Sequence, residues 1–173
     1  MNKKACVRVS LILVSALLII GCRGQKAEPA VVKKGDTVKV NYTGRLDDGT
    51  VFDSSQGRAP LQFTVGTGSV IQGFDEGVLG MKTGESRTVK ILVDKAYGPY
   101  RQDLVLRVPL DQFPAGTKPQ VGQQYQVANG NQAMVVKVIA VSDKEVTLDG
   151  NHPLAGKNLT FDITVVEIQP SKS

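Results

Sequence analysis

The sequence has no tryptophan, one histidine and only two cysteines, both within the first 22 residues. These shortages exclude several kinds of chemistry. A lone histidine, His152, has no second ligand at metal spacing, and a zinc-type centre needs three or four. The acidic stretch "LDDGTVFD" (46–53) lacks the ligand pattern of a calcium loop. No Ser or Asp constellation accompanies His152, so nucleophilic catalysis has no support in the sequence and His152 reads as a structural loop residue. Lys and Arg outnumber Asp and Glu by 21 to 16, yet no basic patch is interleaved with aromatics, and nucleic acid is not expected as a partner. "GTGSVIQG" (66–73) has four residues between its second and third glycines, where a dinucleotide loop has two. No apolar run reaches the roughly 20 residues of a membrane-spanning helix.

The N-terminus carries a different signal. Lys3, Lys4 and Arg8 precede an apolar run from Val9 to Ile20, broken by Ser10 and Ser15. That layout reads as a secretory leader. "IIGC" (19–22) resembles the bacterial lipobox, which implies cleavage before Cys22 and lipidation of that cysteine. The other reading is an ordinary leader with a chance cysteine. Lipid on Cys22 would anchor the chain to a membrane without spanning it. Loss of residues 1–21 removes three of the five net positive charges and leaves +2. Cys6 would leave with the leader, so no disulfide is expected. Arg23 does not match the inner-membrane retention signal that follows such cysteines. The expected location is extracytoplasmic: the periplasmic face of the outer membrane in a two-membrane bacterium, otherwise the outer face of the cell membrane.

Residues 23–32 lack periodicity and read as a tether. Beyond them, alternation predicts strands over 38–46, 51–54 and 61–65, the first two joined by a hairpin turn at Gly49. Ile71, Phe74, Val78 and Met81 recur at helical steps, which predicts a short helix with Ser69 as its N-cap. Gly73 and Gly77 each cost a helix about 1 kcal/mol against alanine, so close packing is expected there. "SRTVKILV", "QQYQVA", "AMVVKVIAV" and "EVTLD" predict further strands, whereas 104–120 is punctuated by proline and has no clear pattern. "LTFDITVVEI" (159–168) is apolar on much of both faces and is expected at the centre of a sheet.

Four ordered stretches, "VKVNYTGRLDDGTVFDSS", "PLQFTVGTGSVIQGFDEGVLGMKTGE", "AYGPY" and "LTFDITVVEI", resemble FK506-binding-protein-type (FKBP-type) peptidyl-prolyl isomerases. The likeness runs from Gly35 to Ile168. "LVLRVPLDQFP", "VGQQYQV" and "DGNHPLAG" resemble the SlyD-like subgroup, which carries an insert-in-flap chaperone domain. The resemblance implies an α+β fold that is mainly antiparallel β: a twisted sheet around one short helix, with a small β-rich insert. After the leader at 1–21 and the lipidated cysteine and tether at 22–33 read above, it implies an isomerase domain at 34–101 and 149–169, an insert at 102–148 and a tail at 170–173.

It also implies a site. Tyr42, Asp53 and Tyr97 match the family's polar catalytic positions. Phe52, Leu61, Phe63, Val70, Ile71, Phe74 and Phe161 match the substrate-binding walls. Leu61 stands where an aromatic is common, and Phe74 where the floor is often tryptophan. The competing reading of Asp53 is an exposed strand residue, which the whole constellation disfavours, and that of each aromatic is core packing. The implied activity is cis-trans isomerisation of X-Pro bonds in extracytoplasmic proteins, with no cofactor and no metal. The implied partners are unfolded or proline-containing polypeptides and macrolide inhibitors of the FK506 type. In the insert, Leu104, Val105, Leu106, Val108, Leu110, Phe113, Tyr125 and Val127 would either grip unfolded chains or form the insert's own core. A membrane-anchored holdase without catalysis is the alternative function.

Overall fold

A computed structural model describes residues 30–114, 116–129 and 132–171. The leader, Cys22 and tether residues 23–29 lie outside the described residues. Among the described residues no helix is long and apolar enough to cross a membrane.

The chain builds two antiparallel sheets. The first contains β1 (Thr37–Leu46), β2 (Val51–Ser54), β3 (Leu61–Thr64), β4 (Ser86–Ile91) and β9 (Leu159–Gln169), with one helix, α1 (Gln72–Val78), against it. Its order is β2-β1-β9-β4, and β3 pairs with the first half of β1. The second sheet contains β5 (Val105–Pro109), β6 (Gln124–Asn129), β7 (Gln132–Val141) and β8 (Glu145–Asp149), in the order β5-β8-β7-β6. This is the expected mainly antiparallel α+β architecture.

β9 is central, between β1 and β4, but not because both of its faces are buried. Leu159, Phe161, Ile163 and Val165 point into the core, while the other face carries Thr160, Asp162, Thr164 and an exposed Val166. The register between β1 and β9 shifts at Val166: Val40 faces Val165, yet Lys39 faces Glu167. One extra residue reverses the alternation beyond it, so Ile168 packs against the core again. The apparent two-sided apolarity is a bulge.

Seven residues are too few for a helix to be stable alone, and packing holds α1. A Cβ on Gly73 would lie 2.3 Å from Ile91, and one on Gly77 2.9 Å from Val89. The two glycines let the helix axis approach β4. Ser69 is not the N-cap. Ile71 occupies that position, its carbonyl accepting from the Phe74 and Asp75 N–H groups, while Ser69 Oγ pairs with Thr67 Oγ1 at 2.7 Å. The helix starts late because the chain bends at Ser69 and Val70 and is extended at Ile71. Met81 is fully buried but lies beyond the helix, where its N–H turns back to the Val78 carbonyl.

The end of the expected tether belongs to the folded body. Val31 bridges to Lys82, and Val32 is buried, its N–H bonded to the Met81 carbonyl. An apolar side chain with a paired backbone has no reason to remain in solvent.

The second sheet has its own small core of Val136, Val138, Val146 and Leu148. Val108, Leu110, Phe113, Tyr125 and Val127 pack against it, so these five of the candidate gripping residues serve first as core. Leu106 is 41% exposed. The unpatterned stretch resolves into short 3-10 turns at Gln102–Leu104 and Leu110–Gln112 flanking β5.

Candidate functional site

A concavity of about 170 Å3 opens between α1 and the first sheet. Tyr42 enters from β1, Phe52 and Asp53 from β2, Leu61 from β3, and Phe161 from β9. Val70 and Ile71 come from the extended lead into α1, Phe74 from its first turn, and Tyr97 from the loop after β4. Ser69, which sequence reasoning left out, lines it as well. The structure thus brings nine of the ten sequence-selected residues to one cavity. Phe63 is the exception. It is buried behind Phe74 with ring centroids 5.7 Å apart, and supports the floor without lining the cavity.

The rings form a connected frame. Phe74 meets Phe161 at 5.0 Å and 84°, and Phe161 meets Phe52 at 5.5 Å and 89°. Tyr42 stands edge-on to Phe74 at 5.8 Å. Edge-to-face pairs add about 0.5–1.5 kcal/mol each beyond their burial, which favours a single arrangement of the walls.

Adjacent strand residues normally face opposite ways, yet Phe52 and Asp53 line the same cavity. The register explains it. Gly44 pairs with Asp53 and Arg45 with Val51, leaving Phe52 as the extra residue of a bulge. The bulge re-aims Phe52 inward while Asp53 stays at the rim. Gly44 makes room for it, because a Cβ there would lie 2.6 Å from Phe52 and 2.8 Å from Phe161.

Asp53 is fixed from two sides. The Tyr42 hydroxyl donates to Oδ2 at 2.5 Å, and the Arg58 guanidinium donates to Oδ1 at 2.6 Å and also to the Ser54 carbonyl. Hydrogen bonding from Tyr42 holds the Asp53 carboxyl below its usual range; burial opposes this and Arg58 reinforces it. Burial, then the bond to Asp53, pushes the Tyr42 phenol up. Both shifts keep the pair as neutral phenol and carboxylate. Buried Ser55 pins the backbone behind them, its Oγ accepting the Tyr42 N–H at 2.8 Å. Arg58 and Ser55 carried no signal in the sequence beyond lying in a loop.

Tyr97 is 41% exposed at the cavity mouth. Its ring stacks on His152 with centroids 3.7 Å apart and planes 6° apart. His152 also lines a second cavity, a cleft of about 560 Å3 between the second sheet and the loop after β8, together with Tyr100, Val135, Lys137, Ile139 and Asp149. A third, about 350 Å3, lies at the second sheet between Val108, Phe113, Tyr125 and Val127. Among the described residues no three His, Cys, Asp or Glu side chains gather as metal ligands.

An aromatic cavity edged by an ionised carboxylate and hydroxyls can seat an apolar ring and fix a carbonyl, but holds no nucleophile. The comparisons agree with that chemistry. The profile of the FKBP-type peptidyl-prolyl cis-trans isomerases (FKBP_C) matches residues 28–166. The chain is 40% identical over 158 residues to the short-type peptidyl-prolyl cis-trans isomerase of Methanocaldococcus jannaschii, covering 83% of this chain and 98% of the relative. It is 38% identical over 138 residues to the FKBP-type peptidyl-prolyl cis-trans isomerase SlyD of Escherichia coli (strain K12), covering 80% and 70%. Against SlyD of Treponema pallidum the identity is 35% over 132 residues, covering 76% and 75%. With its antiparallel sheet, the short α-helix against it and a profile match over most of its length, the chain belongs to the FKBP-type peptidyl-prolyl cis-trans isomerase family.

Proposed function

We propose that the cavity between α1 and the first sheet isomerises X-Pro bonds of extracytoplasmic polypeptides, and that the second sheet helps it by holding unfolded chains. The observation that carries the reading is the convergence of Tyr42, Asp53, Ile71, Phe74, Tyr97 and Phe161 on one apolar cavity.

Rotation about a peptide bond faces about 18–20 kcal/mol, and X-Pro bonds exchange over roughly tens to hundreds of seconds unaided. No bond breaks. The planar amide is more dipolar than the twisted one, because twisting removes its resonance. An apolar, water-poor cavity therefore favours the twisted form, and each 1.4 kcal/mol of that preference is about tenfold in rate. The proline ring sits against Val70 and Ile71, over Phe74 and beside the paired rings of Phe52 and Phe161. The Ile71 N–H, which has no partner among the described residues, holds a substrate carbonyl. Tyr97 donates to the substrate backbone. Asp53, kept ionised, stands near the substrate carbonyl and is oriented by Tyr42. Leu61 and Phe74 shape the depth available to FK506-type macrolides.

The insert grips extended chains through the cavity around Phe113, Tyr125 and Val127. The Tyr125 hydroxyl is buried without a partner among the described residues; a captured backbone would satisfy it. His152, which walls the cleft with Val135 and Ile139, is the residue stacked on Tyr97. Lipid on Cys22 would hold the protein at a membrane outside the cytoplasm.

Exchange spectroscopy on a short X-Pro peptide tests the site. The Tyr97→Phe/Asp53→Ala variant should lower turnover about 10- to 100-fold, as expected for losing two polar contacts. Unchanged turnover would refute the site assignment.

A further inference from the structure

We propose that His152 is the positioning residue of this pocket: its neutral imidazole, stacked on Tyr97 and bonded to its own loop, holds the Tyr97 ring at the cavity mouth. The inference rests on the reading of the cavity above and adds to it a residue that 54 intervening positions separate from Tyr97.

The contact is close to parallel, at 3.7 Å and 6°. Little else restrains Tyr97. Its hydroxyl has no hydrogen-bond partner among the described residues, and its ring is 41% exposed. His152, by contrast, is tied down. Its Nδ1 accepts the Leu154 N–H at 3.1 Å, and its carbonyl accepts the Ala155 N–H at 2.8 Å. The Gly156 N–H then bonds the Gly98 carbonyl at 2.8 Å, lashing this loop to the residue after Tyr97. Gly156 is required at that seam, for its φ is +73° and a Cβ would lie 3.2 Å from Tyr100 Cβ.

The arrangement depends on protonation. A neutral imidazole has one acceptor nitrogen, and imidazolium has none. Protonated His152 would set an Nδ1–H against the Leu154 N–H and release the turn that presents the ring. Burial holds His152 below the ordinary histidine value of 6.5. The other titratable groups around it are Lys137 of β7, Lys157 of its own loop, Asp149 at the end of β8, and Tyr97 and Tyr100 of the loop after β4. Asp149 is kept ionised: burial opposes this, and hydrogen bonds from Asn151 and Tyr100 prevail. One carboxylate thus faces two lysines, which leaves no surplus negative charge to favour a cation on His152. Because the folded value is lowered, the neutral form persists through neutral pH and is lost only as pH falls through that value.

The only histidine in the chain gives imidazole C–H signals that need no assignment, so the full chain can be titrated directly. The expected result is a fall in kcat/KM for a short X-Pro peptide of about three- to tenfold, carried mainly by KM, with the same midpoint below 6.5 as the His152 signals and a matching shift of the Tyr97 ring signals. His152→Asn keeps a side-chain acceptor for the turn but no ring, and should raise KM about three- to tenfold at every pH. His152→Phe restores a flat ring that cannot titrate. It should recover much of the Asn variant's loss, and its remaining deficit should not grow with acid. An acid limb that does not track His152, or an unchanged KM in the Asn variant, overturns the role of His152 while leaving the isomerase pocket standing. Absence of turnover by the wild-type chain at neutral pH overturns the pocket itself. If a variant fails to fold, the wild-type titration alone decides.

Discussion

The two sheets solve different problems with the same strand geometry. The first is organised around long central strands, β1 and β9, and its core includes Phe63, Phe74 and Phe161. Interlocked rings leave one small cavity of defined shape. Among the described residues the second sheet has four buried core side chains, all Val or Leu, and Leu106, Val121, Val135, Ile139 and Val141 in and beside it are substantially exposed. A unit of that size rarely gains more than about 3–5 kcal/mol from its core. The difference teaches that rotation of a bond needs a rigid wall, whereas holding a varied chain needs an apolar surface that can adapt.

The largest effect that would sharpen this contrast comes from removing residues 102–148. Aggregation suppression should fall almost to nothing, while turnover of a short X-Pro peptide stays within about threefold, a change of about 0.7 kcal/mol. A light-scattering assay on an unfolding client, run beside peptide exchange, checks both halves. If short-peptide turnover collapsed too, the insert would belong to the catalytic pocket.

Gly44→Ala should break the first sheet selectively. The added methyl collides with Phe52 and Phe161, and overpacking of this kind costs about 1–3 kcal/mol. Thermal unfolding should shift down by several degrees and turnover should fall, with the insert's amide protection unaltered. Equal loss of protection in both sheets would show that they unfold as one unit.

The smallest effect is expected at the rim. Arg58 is largely exposed, so solvent screens its pair with Asp53 and the pair contributes little. Arg58→Ala should lower turnover less than about fivefold, since the Tyr42 hydroxyl still fixes the carboxylate. The pH profile separates the rim from the mouth. Asp53 has a lowered folded value, so its contribution is present above the ordinary carboxylate value of about 3.9 and is lost only in stronger acid. An acid limb that tracks His152 therefore cannot come from Asp53.

Alternation and turn chemistry made β1, β2, β3 and β9 legible, and the quoted motifs made the cavity's residues legible. Three features were not, for one shared reason: they depend on what lies across the chain. The Phe52 bulge exists only in the pairing of β2 with β1, and no pattern within "VFDSS" reveals it. Gly44 looks like an ordinary strand glycine until Phe52 and Phe161 are placed over it. Ser69 has the chemistry of a cap, but a bend at Ser69 and Val70 and an extended Ile71 move the N-cap to Ile71. In the insert, candidate gripping residues were chosen by hydrophobicity alone. That could not tell Val108 and Val127, which pack on the small core, from Val135 and Ile139, which face the cleft.

The central claim is that the two sheets carry separable activities. The most direct measurement follows both on one protein: X-Pro peptide exchange and suppression of client aggregation by the full chain bearing Tyr97→Phe/Asp53→Ala. The account predicts that exchange falls about 10- to 100-fold while suppression is retained. Exchange that persists, or suppression that falls in step with it, would contradict it.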